Sequence, residues 1–329
     1  MSFIAPVFTM FILALPLPAP KFSGGVKFAL VFIVSLYAGL ALLPLIIHYP
    51  VAGLLMVALA LYLSFYYTAK GGSAVLGAFA TVGIALVTSV GSVSIDAVLG
   101  LIGGMSIGVI AGILFVWVGH ALLPDTRAEP VAVAPKVSPA EKPAEKPNLA
   151  VARLSAFRSL LIVMPILVWF LFSGASASYA AVMIKVASMG QQASIDHTRQ
   201  AAKSLLVSTV IGGIGAILAW QVLSIHTSLL LYVLLIVLCG LVLGPRIFKG
   251  PGMQPAGATW SYAYLTMIVI LAPAVLDQQS GANAGAAFWS RLIMFMGASL
   301  YGVLAVFIFD FFSAHRQEPA GEPIAKPVK

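Results

Sequence analysis

Eleven apolar segments, most of them long enough to cross a bilayer, follow one another along the chain with short loops between them. A helix needs about 20 residues to cross about 30 Å of hydrocarbon. Every backbone amide in lipid must be paired internally, so we expect these segments to be transmembrane helices. The predicted spans are residues 3–20, 26–47, 50–68, 73–92, 97–119, 155–174, 177–192, 204–224, 227–245, 258–276 and 288–313. The sequence therefore predicts an all-α polytopic membrane protein with about 10–11 transmembrane helices.

The composition leaves little room for a water-soluble domain. Of the 329 residues, 61% are hydrophobic and only 9% are charged, whereas a soluble domain carries about a quarter charged residues. The net charge of +8 is not gathered into a basic helix or stripe. We therefore predict the lipid bilayer as the main partner of this chain and expect no nucleic-acid binding.

The basic residues lie on one side of the predicted topology. Of the 18 Lys and Arg residues, 16 fall at one set of loops and helix ends, and the exceptions are Lys185 and Arg291. Loops rich in Lys and Arg face the cytoplasm. This distribution predicts a multi-pass protein with a cytoplasmic C-terminus.

The spans form two hydrophobic halves joined by a polar linker. We expect a first transmembrane half at residues 1–123 and a second at 153–314. Residues 124–152 are rich in Pro, Ala, Lys and Glu, a composition that cannot bury a core, and residues 315–329 are similar. Both are predicted to be disordered cytoplasmic segments.

The two halves resemble each other in sequence. The matched pairs include Lys27 with Lys203, Gly39 with Gly215, and Gly108 with Gly302. Both copies begin on the same predicted side, so the halves form two parallel pseudo-repeats, an arrangement that recurs among transporters. The span at 155–174 has no counterpart in the first half. We therefore expect either a further apolar helix upstream of Met1 or an N-terminus on the outer side.

Four segments resemble the fusaric-acid-resistance-like and aromatic acid exporter inner-membrane proteins, in particular a short branch of that group. They are HYPVAGLLMVALALYLSFYYTAKGG at 48–72, WVGHALLPD at 117–125, IKVASMGQQ at 184–192 and WSRL at 289–292. The resemblance implies export of small, often aromatic, organic compounds from the cytoplasm of a Gram-negative bacterium. It also implies a location in the inner membrane and a periplasmic membrane fusion protein as partner. Longer members carry a cytoplasmic domain, and here only the Pro-rich linker takes that place.

One polar helical face lies inside a predicted span. Lys185, Ser188 and Gln192 recur at helical spacing within 177–192. A charge inside the membrane is costly, which makes Lys185 a candidate for attracting an anionic substrate. Alternatively, Lys185 extends its ammonium group to the interface, because this span is short. Tyr66 is a further candidate, either for stacking on an aromatic substrate or as part of an interfacial aromatic belt.

Asp96 and Arg291 occupy nearly equivalent positions near the start of the last span of each half. They are candidates for an ion pair or for proton coupling, and the alternative is two interfacial charges that are hydrated separately. Small residues spaced by four let helices approach closely. The glycines with this spacing in the fifth span are Gly100, Gly104, Gly108 and Gly112.

Little in the sequence favours an enzyme. Cys239 is the only cysteine, which excludes cysteine-based metal sites, and it lies inside an apolar run. His120 and Asp125 have an H-x4-D spacing known from acyltransferases, but Pro124 separates them and no further motif follows. We expect no catalytic activity, no metal and no cofactor.

The combined prediction is an inner-membrane efflux component for small aromatic or anionic compounds, with a small-molecule substrate and a possible homo-oligomer. The alternative is a non-transporting membrane scaffold or a lipid-handling subunit.

The predicted orientation can be tested with reporter fusions. Because the basic residues lie on one side, reporters placed after Ala140 and at Lys329 should both report a cytoplasmic location. A periplasmic signal from either fusion would contradict the orientation.

Overall fold

A computed structural model describes Thr9, residues 20–123, 149–173, Val186 and residues 199–226, 228–249, 252–279 and 284–316. Within these residues the fold consists of nine α-helices and one short β-hairpin. The helices are α1 (Phe22–His48), α2 (Pro50–Ala69), α3 (Ala74–Gly91), α4 (Ile95–Leu122), α5 (Leu149–Ser173), α6 (Arg199–Ile225), α7 (Leu229–Ile247), α8 (Gly257–Gln279) and α9 (Ala284–Arg316). The hairpin pairs β1 (Phe248–Lys249) with β2 (Gly252–Met253).

The expected fold class is confirmed: the chain is an all-α polytopic membrane protein. Eight of the described helices are long and apolar enough to cross a membrane, and α3 is a shorter apolar helix. Several helices extend beyond the predicted apolar runs, and α5 begins at Leu149, within the predicted linker. Such extensions follow because a helix continues past the hydrocarbon into the headgroup layer. The predicted spans 3–20 and 177–192 lie outside the described residues, except for the helical Thr9 and Val186.

Serine side chains mark where three helices begin. Ser73, Ser94 and Ser228 accept hydrogen bonds from the backbone N–H groups three residues later, at the starts of α3, α4 and α7. Each serine thereby satisfies one of the amides that a helix N-terminus leaves unpaired. The sequence thus ends each short loop and starts the next span at a defined residue.

The predicted repeat appears in the helix packing. In the first half α1 packs against α2, α3 and α4, and in the second half α6 packs against α7, α8 and α9. The largest contact is α1 with α3 in one half and α6 with α8 in the other. The lengths also correspond, since α1 and α6 have 27 residues each and α2 and α7 have 20 and 19. The two halves are therefore built on the same arrangement of four helices.

The glycine pair that the repeat predicted lies at these two largest contacts. A Cβ added at Gly39 in α1 would lie 2.9 Å from Val87 Cβ in α3. A Cβ at Gly215 in α6 would lie 3.2 Å from Met267 Sδ in α8. Helices in lipid associate through close van der Waals contact, which small residues permit. The glycines therefore set the distance at which each pair of helices crosses.

Buried hydroxyl groups add hydrogen bonds between helices in both halves. Ser64 in α2 lies 2.8 Å from Thr81 Oγ1 in α3, oxygen to oxygen. In the second half, Ser299 Oγ in α9 donates to Thr209 Oγ1 in α6 over 3.1 Å. A buried hydroxyl needs a partner inside the membrane, so these pairs fix the rotation of the helices that carry them.

The additional helix α5 joins the two halves. It packs mainly on α2 of the first half and also contacts α3 and, in the second half, α9. The helix of the second half that corresponds to α2 is α7, and only 6% of the apolar core of α7 is buried, against 28–56% for the other spans. The halves thus differ in what covers their second helix.

The close contact between Gly39 and Val87 predicts that a larger side chain at position 39 destabilises the fold. Gly39→Leu should lower the free energy of unfolding by about 1–3 kcal/mol, because its side chain would collide with Val87. The measurement is the thermal unfolding midpoint of the purified protein in detergent. Gly100→Leu is the control, because a Cβ at Gly100 would meet no described atom within 4 Å. Equal midpoints for the two variants would contradict the assigned role of Gly39.

Candidate functional site

A cleft of about 340 Å³ lies between α5 and α9, where the helix that joins the halves meets the last helix of the second half. Its lining is almost entirely apolar and rich in aromatic rings. The lining residues are Pro165, Ile166, Trp169, Phe170, Met294, Gly297, Ala298 and Tyr301. A volume of this size falls within the range of small-molecule pockets.

Helical spacing explains why these residues come together. On α5, Pro165, Trp169 and their neighbours are one turn apart and share a face, as do Met294, Ala298 and Tyr301 on α9. Gly297 has no side chain, and a Cβ added there would meet no described atom within 4 Å. The missing side chain helps keep the space open.

Two aromatic rings define the α5 side of the cleft. The rings of Trp169 and Phe170 meet edge to face, with centroids 5.2 Å apart and planes at 68°. Phe170 is 1% exposed and belongs to the core, whereas Trp169 is 53% exposed. Phe170 is therefore a fixed wall, and Trp169 lies at the open rim. Such a surface suits a planar apolar or aromatic group.

A buried arginine lies one helical turn from the cleft. Arg291 is 8% exposed and precedes Met294 by three residues on the same face of α9. Arg158 on α5 is also buried, at 6% exposure. Arginine stays protonated in proteins, and a positive charge in a medium of low dielectric attracts anions strongly. The arrangement is apolar and aromatic at its centre, with positive charge on the helices that form it.

The structure does not join Asp96 to Arg291. Asp96 is exposed in the first turn of α4, and no ion pair between the two side chains occurs in the described part of the chain. Arg291 lies inside the bundle rather than at its outer end, because α9 begins at Ala284, one turn before the predicted start. About seven residues at 1.5 Å each place Arg291 roughly 10 Å along the helix.

The other predicted substrate-binding residues lie away from the cleft or outside the described residues. Tyr66 on α2 stacks on Tyr62, with ring centroids 6.1 Å apart, and does not line the cleft. Lys185, Ser188 and Gln192 lie outside the described residues. Of that segment the structure describes only Val186, which is buried.

The row of four glycines in α4 (Gly100, Gly104, Gly108 and Gly112) is buried at one end only. Gly108 and Gly112 are buried, and the carbonyl of Gly112 accepts a hydrogen bond from Thr9 Oγ1 over 3.3 Å. Gly104 is half-buried, and Gly100 is exposed. The C-terminal part of this row thus lies beside Thr9, whereas a Cβ added at Gly100 would meet no described atom within 4 Å.

No catalytic or metal-binding arrangement stands out in the described residues. His120 Nδ1 lies 2.9 Å from the carbonyl of Val116 in its own helix, and Asp125 lies outside the described residues. No group of three or more His, Cys, Asp or Glu side chains that could hold a metal occurs among the residues described.

Sequence reasoning missed the cleft and treated Arg158 only as a cytoplasmic charge. One signal was present. Trp169 and Phe170 are adjacent and lie inside the predicted span 155–174, whereas aromatic belts sit at the two ends of a span. The sequence did not indicate that α9 would supply the opposite wall.

Comparison with known proteins matches the first half of the chain. Residues 1–118 match a family described as "Protein of unknown function (DUF2955)". The matched range ends within α4, close to the end of the first transmembrane half. No curated protein and no solved structure matches the chain.

The cleft predicts binding of a nitroaromatic probe that quenches tryptophan fluorescence. We expect 4-nitrobenzoate to quench the fluorescence of Trp169 in the purified protein, with saturation at high probe concentration. The variant Trp169→Phe should lose this saturable part of the quenching. Gly297→Leu should weaken binding by about tenfold or more, because the new side chain would fill the cleft, which costs about 1.4 kcal/mol or more of binding energy.

The matched control is Gly103→Leu. Gly103 occupies the corresponding position of α4, is exposed like Gly297, and also has no described atom within 4 Å of an added Cβ. Equal quenching in the two leucine variants would show that the probe binds elsewhere.

Proposed function

We propose that this chain is the inner-membrane component of an efflux system for small aromatic or anionic organic compounds. The observation that carries the proposal is the aromatic, apolar cleft between α5 and α9, with the buried Arg291 one turn away. These features place a ring-binding surface and a positive charge about one helical turn apart.

The repeated architecture supports a transport mechanism. Two halves of similar helix packing can rock against each other about a site at their junction, which exposes that site to each side of the membrane in turn. The cleft lies where α5, which packs on the first half, contacts the second half. A change in the angle between the halves would therefore open or close it.

Charged residues are assigned roles within this proposal. Arg291 and Lys185 would attract the anionic group of the substrate, and Ser188 and Gln192 would donate hydrogen bonds to it. Asp96, in the exposed first turn of α4, is the candidate for proton coupling. Tyr66 would take part only if the substrate path extends along α2.

The cellular setting is proposed from the family resemblance. The protein would lie in the bacterial inner membrane with its C-terminus in the cytoplasm and would deliver substrate to a periplasmic membrane fusion protein. A homo-oligomer is compatible with this arrangement.

A second candidate function is a lipid-handling or scaffolding subunit. The observation that favours it is the almost entirely apolar lining of the cleft, which also suits an acyl chain. A competition experiment and a resistance assay together separate the two functions. Displacement of 4-nitrobenzoate by a fatty acid, combined with no resistance to aromatic acids, would favour the lipid-handling function.

The export function predicts a resistance phenotype. A strain that lacks the protein should be more sensitive to aromatic acids, and the wild-type chain should restore growth together with its membrane fusion protein. Gly297→Leu and Lys185→Ala should fail to restore growth, because one blocks the cleft and the other removes the predicted anion-binding charge.

Gly103→Leu is the matched control and should restore growth. Membrane levels of every variant must be compared by immunoblot. Full resistance with Gly297→Leu at normal levels would contradict transport through this cleft, whereas full resistance with Lys185→Ala would contradict only the role of the lysine.

A further inference from the structure

The helix α7 presents an apolar face to the surrounding bilayer along its whole length. Only 6% of its apolar core is buried. Large apolar side chains such as Leu230, Leu234 and Leu238 follow one another at a spacing of four and are each more than half exposed. A continuous row of this kind gives acyl chains a smooth surface of about the length of a bilayer leaflet or more.

At the C-terminal end of α7 this apolar face leads to a fixed cationic group. The guanidinium of Arg246 lies 4.6 Å from the centroid of the Trp260 ring on α8. Lys249 follows on strand β1 and is exposed. Tryptophan and arginine at a helix end are typical of the headgroup level of a membrane.

Gln254 holds the hairpin that carries Lys249 against the end of α7. Its Nε2 donates to the carbonyl of Pro245 over 2.7 Å, and its backbone N–H donates to the carbonyl of Ile247 over 2.9 Å. A Cβ at Gly257 would lie 2.4 Å from the Ile247 carbonyl oxygen, so the start of α8 is packed closely on the same place. Arg246 and Lys249 are thus held by packed secondary structure rather than by a long loop.

The stretch of chain that forms this end of α7 carries no acidic residue. The sequence contains no Asp or Glu between Asp196 and Asp277. Lys203 at the start of α6 adds a further exposed cation at this end, because the neighbouring Ser204 hydrogen-bonds Thr259 beside Trp260. The described elements that form this end of α7 therefore contribute positive charge only.

We propose that this end of α7 binds an anionic phospholipid. Arg246 and Lys249 take the headgroup phosphate, Trp260 holds the guanidinium in place by stacking, and the acyl chains lie along the exposed leucine face of α7. Charge-assisted hydrogen bonds from arginine to phosphate are among the stronger polar contacts in proteins. This lipid site is separate from the cleft and does not depend on the proposed function.

The corresponding place in the first half lacks the arginine–tryptophan pair and the hairpin. There α2 ends in Lys70, followed directly by a tight turn in which Gly71 has a φ of 95°. The second helix of this half is covered by α5, and no hairpin follows it. Another face of α2 remains exposed and apolar, with Leu55, Leu59 and Leu63 each at least half exposed. Lys70 is therefore an exposed basic residue beside an apolar face but without the tryptophan partner and the hairpin that Arg246 and Lys249 have.

This difference supplies the control for a binding experiment. Native mass spectrometry of the detergent-purified chain, titrated with dioleoyl phosphatidylglycerol or dioleoyl phosphatidylcholine, measures lipid binding directly. We expect phosphatidylglycerol to bind more tightly than phosphatidylcholine. Arg246→Gln with Lys249→Gln should weaken phosphatidylglycerol binding by about five-fold per charge removed. Lys70→Gln should leave that affinity unchanged.

Two further arms separate a lipid site from other anion sites. Dihexanoyl phosphatidylglycerol should bind more weakly than the dioleoyl lipid, because it covers less of the leucine face, and Trp260→Leu should give an intermediate loss. If Lys70→Gln weakened phosphatidylglycerol binding as much, per charge removed, as the Arg246 and Lys249 substitutions, the binding would reflect general charge attraction, and the proposal would be overturned. Displacement by millimolar inorganic phosphate, or unchanged binding in the double variant, would overturn it as well.

Discussion

The close crossing of α1 over α3, and of α6 over α8, is the contact on which the rest of this fold depends. Lipid tails are as apolar as leucine side chains, so burial of apolar surface gives helices in a membrane little reason to associate. Attraction must come from backbones that approach closely and from a few hydrogen bonds. Gly39 and Gly215 permit that approach in the two halves, and the hydroxyl pairs Ser64–Thr81 and Ser299–Thr209 fix the rotation of their helices.

Each half is a tightly crossed unit, and the junction between the halves is packed less completely. The helix α5 packs mainly on α2, while its contact with α9 leaves the cleft. Protein interiors are normally close-packed, so an open space of this size between two spans is a departure from the rule. The proposed transport function would use such a junction, because the halves would have to move relative to each other without unfolding.

The two halves share a packing pattern but differ at their second helix. The helix α5 covers one face of α2, whereas α7 is almost entirely exposed and ends in the arginine that lies over the ring of Trp260. This asymmetry follows from the position of α5 in the chain: a single helix between two repeats can cover only one of two equivalent surfaces. The uncovered one is available to the bilayer, and its sequence of leucine and valine residues suits that environment.

The sequence by itself determined the helical class, the positions of the described spans and the repeat, because apolar length and backbone pairing in lipid depend on the local sequence alone. It also placed Gly39 and Gly215 in equivalent positions. Only the tertiary structure decided which face of each helix meets a neighbour. That choice buried Arg158 and Arg291, left Asp96 exposed, and set Trp169 opposite Gly297 to form the cleft. Such contacts join residues far apart in the chain, and a nearly uniform apolar span does not indicate from its own sequence which side its partner will occupy.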